Sequence, residues 1–340
     1  MALIHIQGLC KYFKVLNRRP GLRGAVKDLF SGNYRTVKAV DRISFDIEAG
    51  EMVGYIGPNG AGKSTTIKMM TGILKPTGGV IRVNGLVPYE NRIRQAQTMG
   101  VVFGQRTQLW WDLPVIESFK VLKEIYQVDQ KTFDDHLALF EELTGIKSLF
   151  DRQVRTLSLG QRMLCDITAS FLHNPRVVFL DEPTIGLDIS VKAKIRSVIK
   201  ELNRTRNTTI ILTTHDLGDV EALCKRIIII DKGQVLFDGD IKKVTALFGS
   251  YRTLKVQVDN FTPQTPTDME MALMKRFGEN SGITINQSEE SWSDITVDQS
   301  VTQLSDVLSF LMAEFAISDV RIVEISMENV VQKVYDGALA

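Results

Sequence analysis

One short motif constrains the fold of this chain more than any other feature of its 340 residues. It follows the order Gly, four residues, Gly, Lys and Ser, in the segment Gly57-Pro58-Asn59-Gly60-Ala61-Gly62-Lys63-Ser64. This is the phosphate-loop pattern, in which glycines allow backbone N–H groups to curl around a polyphosphate. The apolar stretch Met52–Ile56 precedes the motif and the helix-like stretch Thr65–Met70 follows it, as the pattern requires. The sequence therefore predicts a nucleotide site between a buried strand and a helix.

The side chains of this loop are chemically suited to a nucleotide. Lys63 supplies a positive charge to the β- and γ-phosphates, and Ser64 supplies a hydroxyl to Mg²⁺. The helix that follows directs the positive end of its dipole at the anion. We expect nucleotide contacts from the loop and the residue after it, namely Gly57, Asn59, Gly60, Ala61, Gly62, Lys63, Ser64 and Thr65.

A pair of carboxylates closes a second apolar stretch, Val177–Leu180. Asp181 is expected to hold Mg²⁺, directly or through water, as in phosphate-loop enzymes generally. Glu182 is then one step further along and is expected to polarise the attacking water. Acidic residues often end strands, so the pair is a weak signal alone and a strong one in a chain that also has a phosphate loop.

Strand-like and helix-like segments alternate up to about residue 240, which predicts an α/β fold with a largely buried sheet. Strands covered on both faces are continuously apolar, and four stretches fit this description: Met52–Ile56, Val177–Leu180, Ile210–Thr213 and Ile227–Ile230. Residues 106–170 lack such stretches, and we expect them to form a helical subdomain inserted into the core. Asp231–Gln234 is expected to form a hairpin turn before one more strand.

The pattern changes after residue 240. Segments there follow the order β-α-β-β-α-β, which predicts a small ferredoxin-like α+β module. A loop over residues 259–268, containing Pro263 and Pro266, is expected to follow the first strand of this module. The sequence thus predicts two domains, residues 1–240 and 241–340. Because the second domain has no nucleotide motif, we expect a regulatory or dimer-supporting role for it.

Charge and hydropathy exclude some classes of protein. Lys and Arg total 41 against 40 Asp and Glu, and a net charge of +1 disfavours nucleic acid as a partner. The longest apolar runs are far shorter than the ~20 residues of a membrane helix. Three widely spaced cysteines fit a reducing compartment. These features predict a cytosolic protein without a membrane span.

The two motifs occur together with a third, and the set resembles the ATP-binding-cassette (ABC) ATPases. The signature of that family is matched by Leu157-Ser158-Leu159-Gly160-Gln161, which begins 20 residues before Val177. The resemblance covers residues 1 to about 240. It implies a phosphate-loop NTPase core with an antiparallel β subdomain and a helical insert, with ATP and Mg²⁺ as cofactors and ATP hydrolysis as the activity.

The resemblance also implies roles for residues outside the phosphate loop. Gln105, 42 residues after Lys63, corresponds to the Q-loop glutamine, and His215 corresponds to the switch histidine. The implied catalytic residues are therefore Glu182, His215 and Gln105. The implied metal ligands are Ser64, Gln105 and Asp181.

Three further features follow from the resemblance. Ile185–Asp188 resembles the D-loop, which contacts the opposite subunit. Nucleotide contacts are also implied for Ser158, Gly160, Gln161 and Asp188. Phe13 corresponds to the aromatic residue that stacks on adenine, with Tyr12 and Tyr34 as alternatives.

The chain departs from the family pattern at two places. Leu159 stands where the signature usually has Gly, but Ser158 and the Gly160 backbone are intact, so we expect activity to survive. The second departure is an insertion over about residues 17–38 with six basic residues and one acid: Arg18, Arg19, Arg23, Lys27, Arg35, Lys38 and Asp28. This insertion is either a solvated loop or a contact with anionic headgroups or a membrane subunit.

Trp110 and Trp111 follow Gln105 and also allow two interpretations. The tryptophans either pack within the helical insert or anchor a membrane subunit, since large aromatic side chains often dominate interfaces.

As a whole, the resemblance implies an ATPase subunit at the cytoplasmic face of the cell membrane that works with separate integral membrane permease subunits. Two copies are expected to close head to tail over two ATP molecules. The phosphate-loop segment and the ferredoxin-like tail favour a single-cassette exporter, and an ABC importer ATPase is the alternative. A soluble cassette ATPase acting on DNA is disfavoured, because only 92 positions separate Thr65 from Leu157 and no sustained heptads occur there. One acting on ribosomes is disfavoured because such relatives carry two cassettes in one chain, whereas this sequence has one.

Overall fold

The computed structural model describes residues 2–16, 34–104, 106–247, 250–259, 261–287, 291–324 and 327–335. The chain divides into two compact units, one ending at Asp240 and the other beginning at Ile241. Across the described ranges, no helix combines the length and apolar character needed to span a membrane.

The first unit contains a small antiparallel sheet and a larger one. The small sheet has the spatial order β2-β1-β4 and consists of β1 (Ile4–Leu16), β2 (Tyr34–Ile47) and β4 (Gly78–Val83). The strands of the larger sheet are β3 (Met52–Ile56), β5 (Met99–Phe103), β6 (Val177–Asp181), β7 (Thr209–Thr213), β8 (Arg226–Asp231) and β9 (Gln234–Asp240). Their spatial order is β5-β6-β7-β3-β8-β9, and only the β8–β9 pair is antiparallel.

The four apolar stretches predicted to be buried strands are β3, β6, β7 and β8. Side chains from both sheets, such as Ile4, Val53, Phe179 and Ile228, share one hydrophobic core. The predicted hairpin turn between β8 and β9 is also present, with Lys232 and Gly233 at φ 47° and 78°. Two consecutive positive φ values are typical of a type I′ turn, which matches the twist of the paired strands.

The helices of the first unit are α1 (Lys63–Met70), α2 (Arg92–Ala96), α3 (Val115–Tyr126), α4 (Gln130–Thr144), α5 (Leu159–Phe171), α6 (Ile189–Arg206) and α7 (Leu217–Leu223). Residues 106–170 hold α3, α4, most of α5 and two short 3₁₀ helices, Ile146–Leu149 and Val154–Thr156. Residues 106–170 contain no strand.

The second unit is built on a four-stranded antiparallel sheet of spatial order β11-β12-β10-β13. Its strands are β10 (Tyr251–Val258), β11 (Ile283–Gln287), β12 (Trp292–Asp298) and β13 (Ile317–Glu324). Its helices are α8 (Ile241–Leu247), α9 (Thr265–Phe277), α10 (Leu304–Glu314) and α11 (Met327–Tyr335). From β10 to β13 the order is β-α-β-β-α-β, and α8 and α11 are additional to the sequence prediction.

Two details of the sequence prediction are wrong. The loop expected over residues 259–268 ends earlier, because α9 begins at Thr265 and Pro266 lies in its first turn. Proline is tolerated there, since the first N–H groups of a helix have no intrahelical acceptor. The insertion expected over residues 17–38 is also shorter, because Tyr34–Lys38 belong to β2. Its remaining residues, including Arg18, Arg19, Arg23, Lys27 and Asp28, lie outside the described residues, and the membrane contact stays a prediction.

Candidate nucleotide-binding site

A cavity of about 600 Å³ lies where β3, β5, β6 and β7 end. These strands are parallel, so their carboxyl ends meet at one edge of the sheet, where α/β proteins commonly bind ligands. The phosphate loop and these strand ends contribute lining residues that include Asn59, Gly60, Gly62, Lys63, Ser64, Thr65, Gly104, Arg106, Asp181, Glu182 and His215. Four distant parts of the sequence therefore contribute to one cavity.

The phosphate loop needs glycine at particular positions. Gly60 and Gly62 have φ values of 83° and 110°, a region that L side chains rarely adopt. A Cβ atom at Gly62 would lie 2.4 Å from the Ala39 carbonyl oxygen, and one at Gly57 would lie 2.4 Å from the Ile230 carbonyl oxygen. Ala61 is buried, and its N–H donates a hydrogen bond to the Pro58 carbonyl oxygen at 3.1 Å. The backbone can thus curl tightly while it stays packed on the sheet.

Lys63 is the basic residue of the loop and is nearly buried, with 8% of its surface exposed. Its ammonium donates hydrogen bonds to the carbonyl oxygens of Gly57 and, at 3.2 Å, of Pro58. Burial lowers the pKa of Lys63, whereas the negative charges of Glu182 and Asp181 act in the opposite direction. The loop therefore holds its positive charge close to the two carboxylates that line the same cavity.

Asp181 and Glu182 are fixed by contacts to neighbouring strand ends. The Thr213 hydroxyl donates to Asp181 Oδ1, and the Glu182 N–H donates to the Thr213 carbonyl oxygen at 2.8 Å. Glu182 has a φ of 54°, an uncommon backbone conformation that is frequent at functional sites. Its Oε1 lies 2.9 Å from His215 Nε2. A carboxylate and an imidazole are therefore paired beside the phosphate loop.

Sequence reasoning missed Gly104, which follows β5. Its N–H donates to the Asp181 carbonyl oxygen at 2.7 Å, and a Cβ atom there would lie 2.2 Å from the Glu182 carbonyl oxygen. Any other residue would push the two acidic positions aside. A glycine directly between a strand and the predicted glutamine was the available signal. Gln105 itself lies outside the described residues, although Gly104 and Arg106 on either side line the cavity.

The signature segment forms the start of α5, and its residues do not line this cavity. Ser158 caps the helix: its hydroxyl accepts from the Gln161 N–H at 3.3 Å, and its own N–H donates to Gln161 Oε1 at 3.1 Å. Gly160 packs against α6, since a Cβ atom there would lie 2.7 Å from Val191 Cγ1. Leu159, the departure from the family pattern, is near Gly186, because a Cβ atom added at Gly186 would lie 3.4 Å from Leu159 Cδ2. The unusual leucine is thus accommodated against the D-loop.

Asp188 has a structural role in this chain as the cap of α6. Its carboxylate accepts from the Val191 N–H at 2.9 Å and from the Ser190 hydroxyl at 2.7 Å, and these bonds lower its pKa. Neither Asp188 nor the signature residues are among the described residues that line the cavity. The structure therefore groups the loop, the acidic pair and His215 around one cavity, whose lining includes neither the signature residues nor Asp188.

The three aromatic candidates for adenine stacking differ in their surroundings. Tyr12 donates its hydroxyl to Asp41 Oδ1 at 2.5 Å, and this hydrogen bond raises the pKa of Tyr12. Phe13 has 38% of its surface exposed, and Lys11 Nζ lies 5.1 Å from its ring centroid. Tyr34 is 57% exposed. The hydrogen bond between Tyr12 and Asp41 holds the Tyr12 ring in place, which favours Phe13 or Tyr34 as the stacking residue.

A buried carboxylate outside the cavity was also missed. Asp166 on α5 is only 4% exposed, and burial raises its pKa to about 6. It accepts hydrogen bonds from Thr107 and Gln108, just after the predicted Q-loop glutamine. An acidic residue at a core-facing position of an apolar helix was the sequence signal.

The parallel sheet, the phosphate loop and the carboxylates at its edge define a phosphate-loop nucleotide hydrolase domain. A family model described as "ABC transporter" matches residues 40–185. The ABC transporter ATP-binding protein NatA of Bacillus subtilis (strain 168) is 32% identical over 215 residues, which are 63% of this chain and 87% of NatA. The chain belongs to the ATP-binding subunits of ABC transporters and is an ATPase.

Two other comparisons extend this result. The Nod factor export ATP-binding protein I of Neorhizobium galegae is 33% identical over 207 residues, which are 61% of this chain and 59% of that protein. A dimeric ATP-binding cassette solved after hydrolysis with ADP and phosphate has a TM-score of 0.58 at 22% identity, and the match covers 70% of this chain and 98% of the cassette. At that identity the structural likeness supports the fold.

Proposed function

We propose that this ATPase drives export through separate integral membrane permease subunits, as a peripheral protein on the cytoplasmic face of the membrane. The observation that carries the proposal is the cavity in which the phosphate loop, the carboxylates Asp181 and Glu182, and His215 face one another. Export as the direction is supported by the similarity to the Nod factor export protein. Transport itself is the activity of the family to which the chain belongs.

In the proposed reaction, Lys63 and the loop backbone bind the β- and γ-phosphates of ATP. Glu182 polarises the attacking water, and His215, 2.9 Å away, orients the carboxylate and shares the proton. Gln105, at the junction with the helical subdomain, completes the catalytic set. These side chains position water and phosphate, since phosphoryl transfer depends mainly on positioning and on electrostatic stabilisation.

The residues at the cavity fit Mg²⁺. Ser64 and Asp181 both line the cavity, and Mg²⁺ usually takes one or two protein oxygens in addition to waters and substrate phosphates. We propose Ser64 and Asp181, with Gln105, as the residues that hold the ion. When bound, Mg²⁺ neutralises charge on the β- and γ-phosphates.

We further propose that two copies close head to tail, so that the signature of one copy completes the site of the other. The first turn of α5 supports this, because helix N-termini bind phosphate through free N–H groups. Ser158, Gly160, Gln161 and Asp188 lie outside the cavity lining of their own copy, as a site shared between two copies requires. The solved cassette described as dimeric supports pairing of two copies.

The permease contact is proposed to include Trp110 and Trp111. Both residues are well exposed, at 40% and 49%, which leaves area for a partner beyond the contact of the Trp111 ring with Arg162, 5.4 Å from its centroid. Their backbone is held in place by three hydrogen bonds. Trp110 N–H donates to Ser118 Oγ at 3.2 Å, Leu113 N–H donates to the Trp110 carbonyl at 3.1 Å, and Arg155 N–H donates to the Trp111 carbonyl at 3.0 Å. Exposed tryptophans on a fixed backbone are typical anchors of protein interfaces.

Replacing both tryptophans by serine is expected to weaken binding to the permease by roughly 30-fold, because interface hot spots contribute about 2 kcal/mol or more. Binding of the purified subunit to the permease encoded by neighbouring reading frames would be measured. Ile125→Ser, which removes another exposed apolar side chain of the helical subdomain, is the matched control. Equal binding by the double variant and the control would assign the tryptophans no part in the contact.

The second unit is proposed to be regulatory or to support the dimer. A chain that ends at Asp240 keeps both sheets of the first unit, so we expect it to fold and to bind ATP with unchanged affinity. Its dimerisation or its permease-stimulated ATPase rate is expected to change. Circular dichroism, ATP titration and sedimentation would measure these properties. A truncated chain that does not fold would show that residues 241–340 belong to the core.

A further inference from the structure

Asp166 connects two parts of the chain that the ATPase reaction has to coordinate. Its Oδ1 accepts a hydrogen bond from the Thr107 hydroxyl at 2.8 Å and from the Gln108 N–H at 3.1 Å. The Gln108 side-chain amide donates in turn to the Asp166 carbonyl oxygen at 3.0 Å. The Thr107 hydroxyl also accepts from the Leu109 N–H at 3.1 Å. Three consecutive residues are therefore fixed on α5 around one carboxylate.

The fixed segment starts at the cavity. Gly104 and Arg106 line the cavity, and Thr107 is the next residue after Arg106. At the other end of the link, Asp166 lies about two turns after Ser158 on the same continuous helix. Residues 107–109 and the signature are therefore joined through a single helix, α5.

A carboxylate in this position is costly, which argues against a passive filler. Asp166 is almost fully buried, and Arg162, whose positive charge favours the ionised form, is on the same helix. Burying an ionised group costs several kcal/mol unless hydrogen bonds compensate for the lost water. The neighbouring residues Cys165 and Ile167 are apolar and fully buried, so Asp166 lies in a part of α5 that is buried on several sides. The buried carboxylate of Asp166 therefore serves to hold residues 107–109 in place.

We propose that Asp166 is a positioning residue that locks residues 107–109 to α5, so that the nucleotide in one copy sets the position of the signature offered to the other copy. The proposal rests on the head-to-tail dimer described above. Asp166 is buried and does not line the cavity. It acts through the segment that it holds, and it couples the two sites of the dimer.

Three substitutions separate this role from packing. Asp166→Leu removes the acceptor at similar size, and Thr107→Val removes the donor from the other side of the bond at nearly constant shape. Asp166→Asn keeps an oxygen that can accept both bonds and is the conservative variant. Thr168→Val is the matched control, because it removes a buried hydroxyl of α5 that bonds within the helix, to the Leu164 carbonyl oxygen at 2.9 Å.

ATP hydrolysis by the full-length chain would be measured over a range of ATP concentrations, with thermal unfolding measured in parallel. For Asp166→Leu and Thr107→Val we expect kcat to fall by roughly 10- to 100-fold, the usual effect of a small misplacement at a distance. KM is expected to stay within about threefold and the Hill coefficient to drop towards 1, since binding is kept and coupling is lost. Asp166→Asn and Thr168→Val are expected to resemble the wild type.

The double variant Thr107→Val/Asp166→Leu tests whether the two side chains act together. Its kcat is expected to match that of the less active single variant, because the effects of substitutions within one hydrogen-bonded network are not additive. The proposal is overturned if Thr107→Val, which leaves the core of α5 intact, keeps the wild-type kcat and Hill coefficient. It is also overturned if Thr168→Val lowers kcat equally. A wild-type chain that does not hydrolyse ATP would instead contradict the proposed function.

Discussion

Lys63→Ala is expected to abolish productive binding of Mg-ATP. Lys63 is the only basic residue within the phosphate-loop motif, residues 57–64, and its ammonium lies inside the loop beside the cavity. Without it, no basic side chain of the loop itself offsets the charge of the triphosphate, while Asp181 and Glu182 still line the same cavity. At an ATP concentration 100 times Kd, the wild type should gain about 2.7 kcal/mol of stability, and the variant almost none. Thermal unfolding with and without Mg-ATP measures this difference.

The matched control for this variant is Lys68→Ala. Lys68 is on the same helix, α1, and also lines the cavity, but its side chain is exposed to solvent. Water and salt screen an exposed charge, so we expect this control to keep most of the stabilisation. Normal stabilisation of Lys63→Ala by Mg-ATP would contradict the role of the phosphate loop.

Glu182→Gln is expected to lower ATP hydrolysis by roughly 10²–10⁴, the usual contribution of a general base. Glutamine keeps the size of the side chain and an oxygen opposite His215 Nε2, but it cannot accept a proton. ATP affinity should persist because Lys63 and the loop are unchanged. The variant should therefore accumulate with ATP bound. Phosphate release and the nucleotide content of the protein would be measured together.

Glu201→Gln serves as the control for the loss of one carboxylate, because Glu201 pairs with Arg204 on the surface of α6. It should hydrolyse ATP at the wild-type rate. If Glu182→Gln also turns over at a near-normal rate, the base is another group, and His215 is the next candidate in this cavity.

Most of the core could be predicted from sequence, because its signals are local. Buried parallel strands are continuously apolar, so Val177–Leu180 was recognisable as a strand without knowledge of its neighbours. Parallel strands also bring their carboxyl ends to one edge. The grouping of Asp181, Glu182 and the phosphate loop in one cavity therefore followed from the order of motifs.

Contacts between distant residues could not be predicted in this way. A Cβ atom at Gly104 would lie 2.2 Å from the Glu182 carbonyl oxygen, so only glycine fits there. This close approach depends on how β5 and β6 pair, which no local pattern encodes. The bonds from Thr107 and Gln108 to Asp166 join residues almost 60 positions apart. The start of α9 was missed for a local reason: Pro266 was interpreted as a loop residue, although proline is favourable in a first helical turn.

The shared site of two copies is the central claim, and the oligomeric state of Glu182→Gln with Mg-ATP tests it most directly. Ser158 allows a sharp variant, because aspartate and asparagine both cap helices as well as serine does. Ser158→Asp keeps α5 capped and adds a negative charge where the partner's γ-phosphate is expected. Ser158→Asn keeps the cap without the charge.

Sedimentation of the Glu182→Gln chain, 38.2 kDa as a monomer, would be measured with and without Mg-ATP. We expect a dimer with two bound ATP molecules only when Mg-ATP is present. Adding Ser158→Asp should return the protein to a monomer that still binds ATP, and Ser158→Asn should retain more of the dimer. A Glu182→Gln chain that binds ATP and remains a monomer, or a Ser158→Asp variant that dimerises equally well, would contradict the shared site.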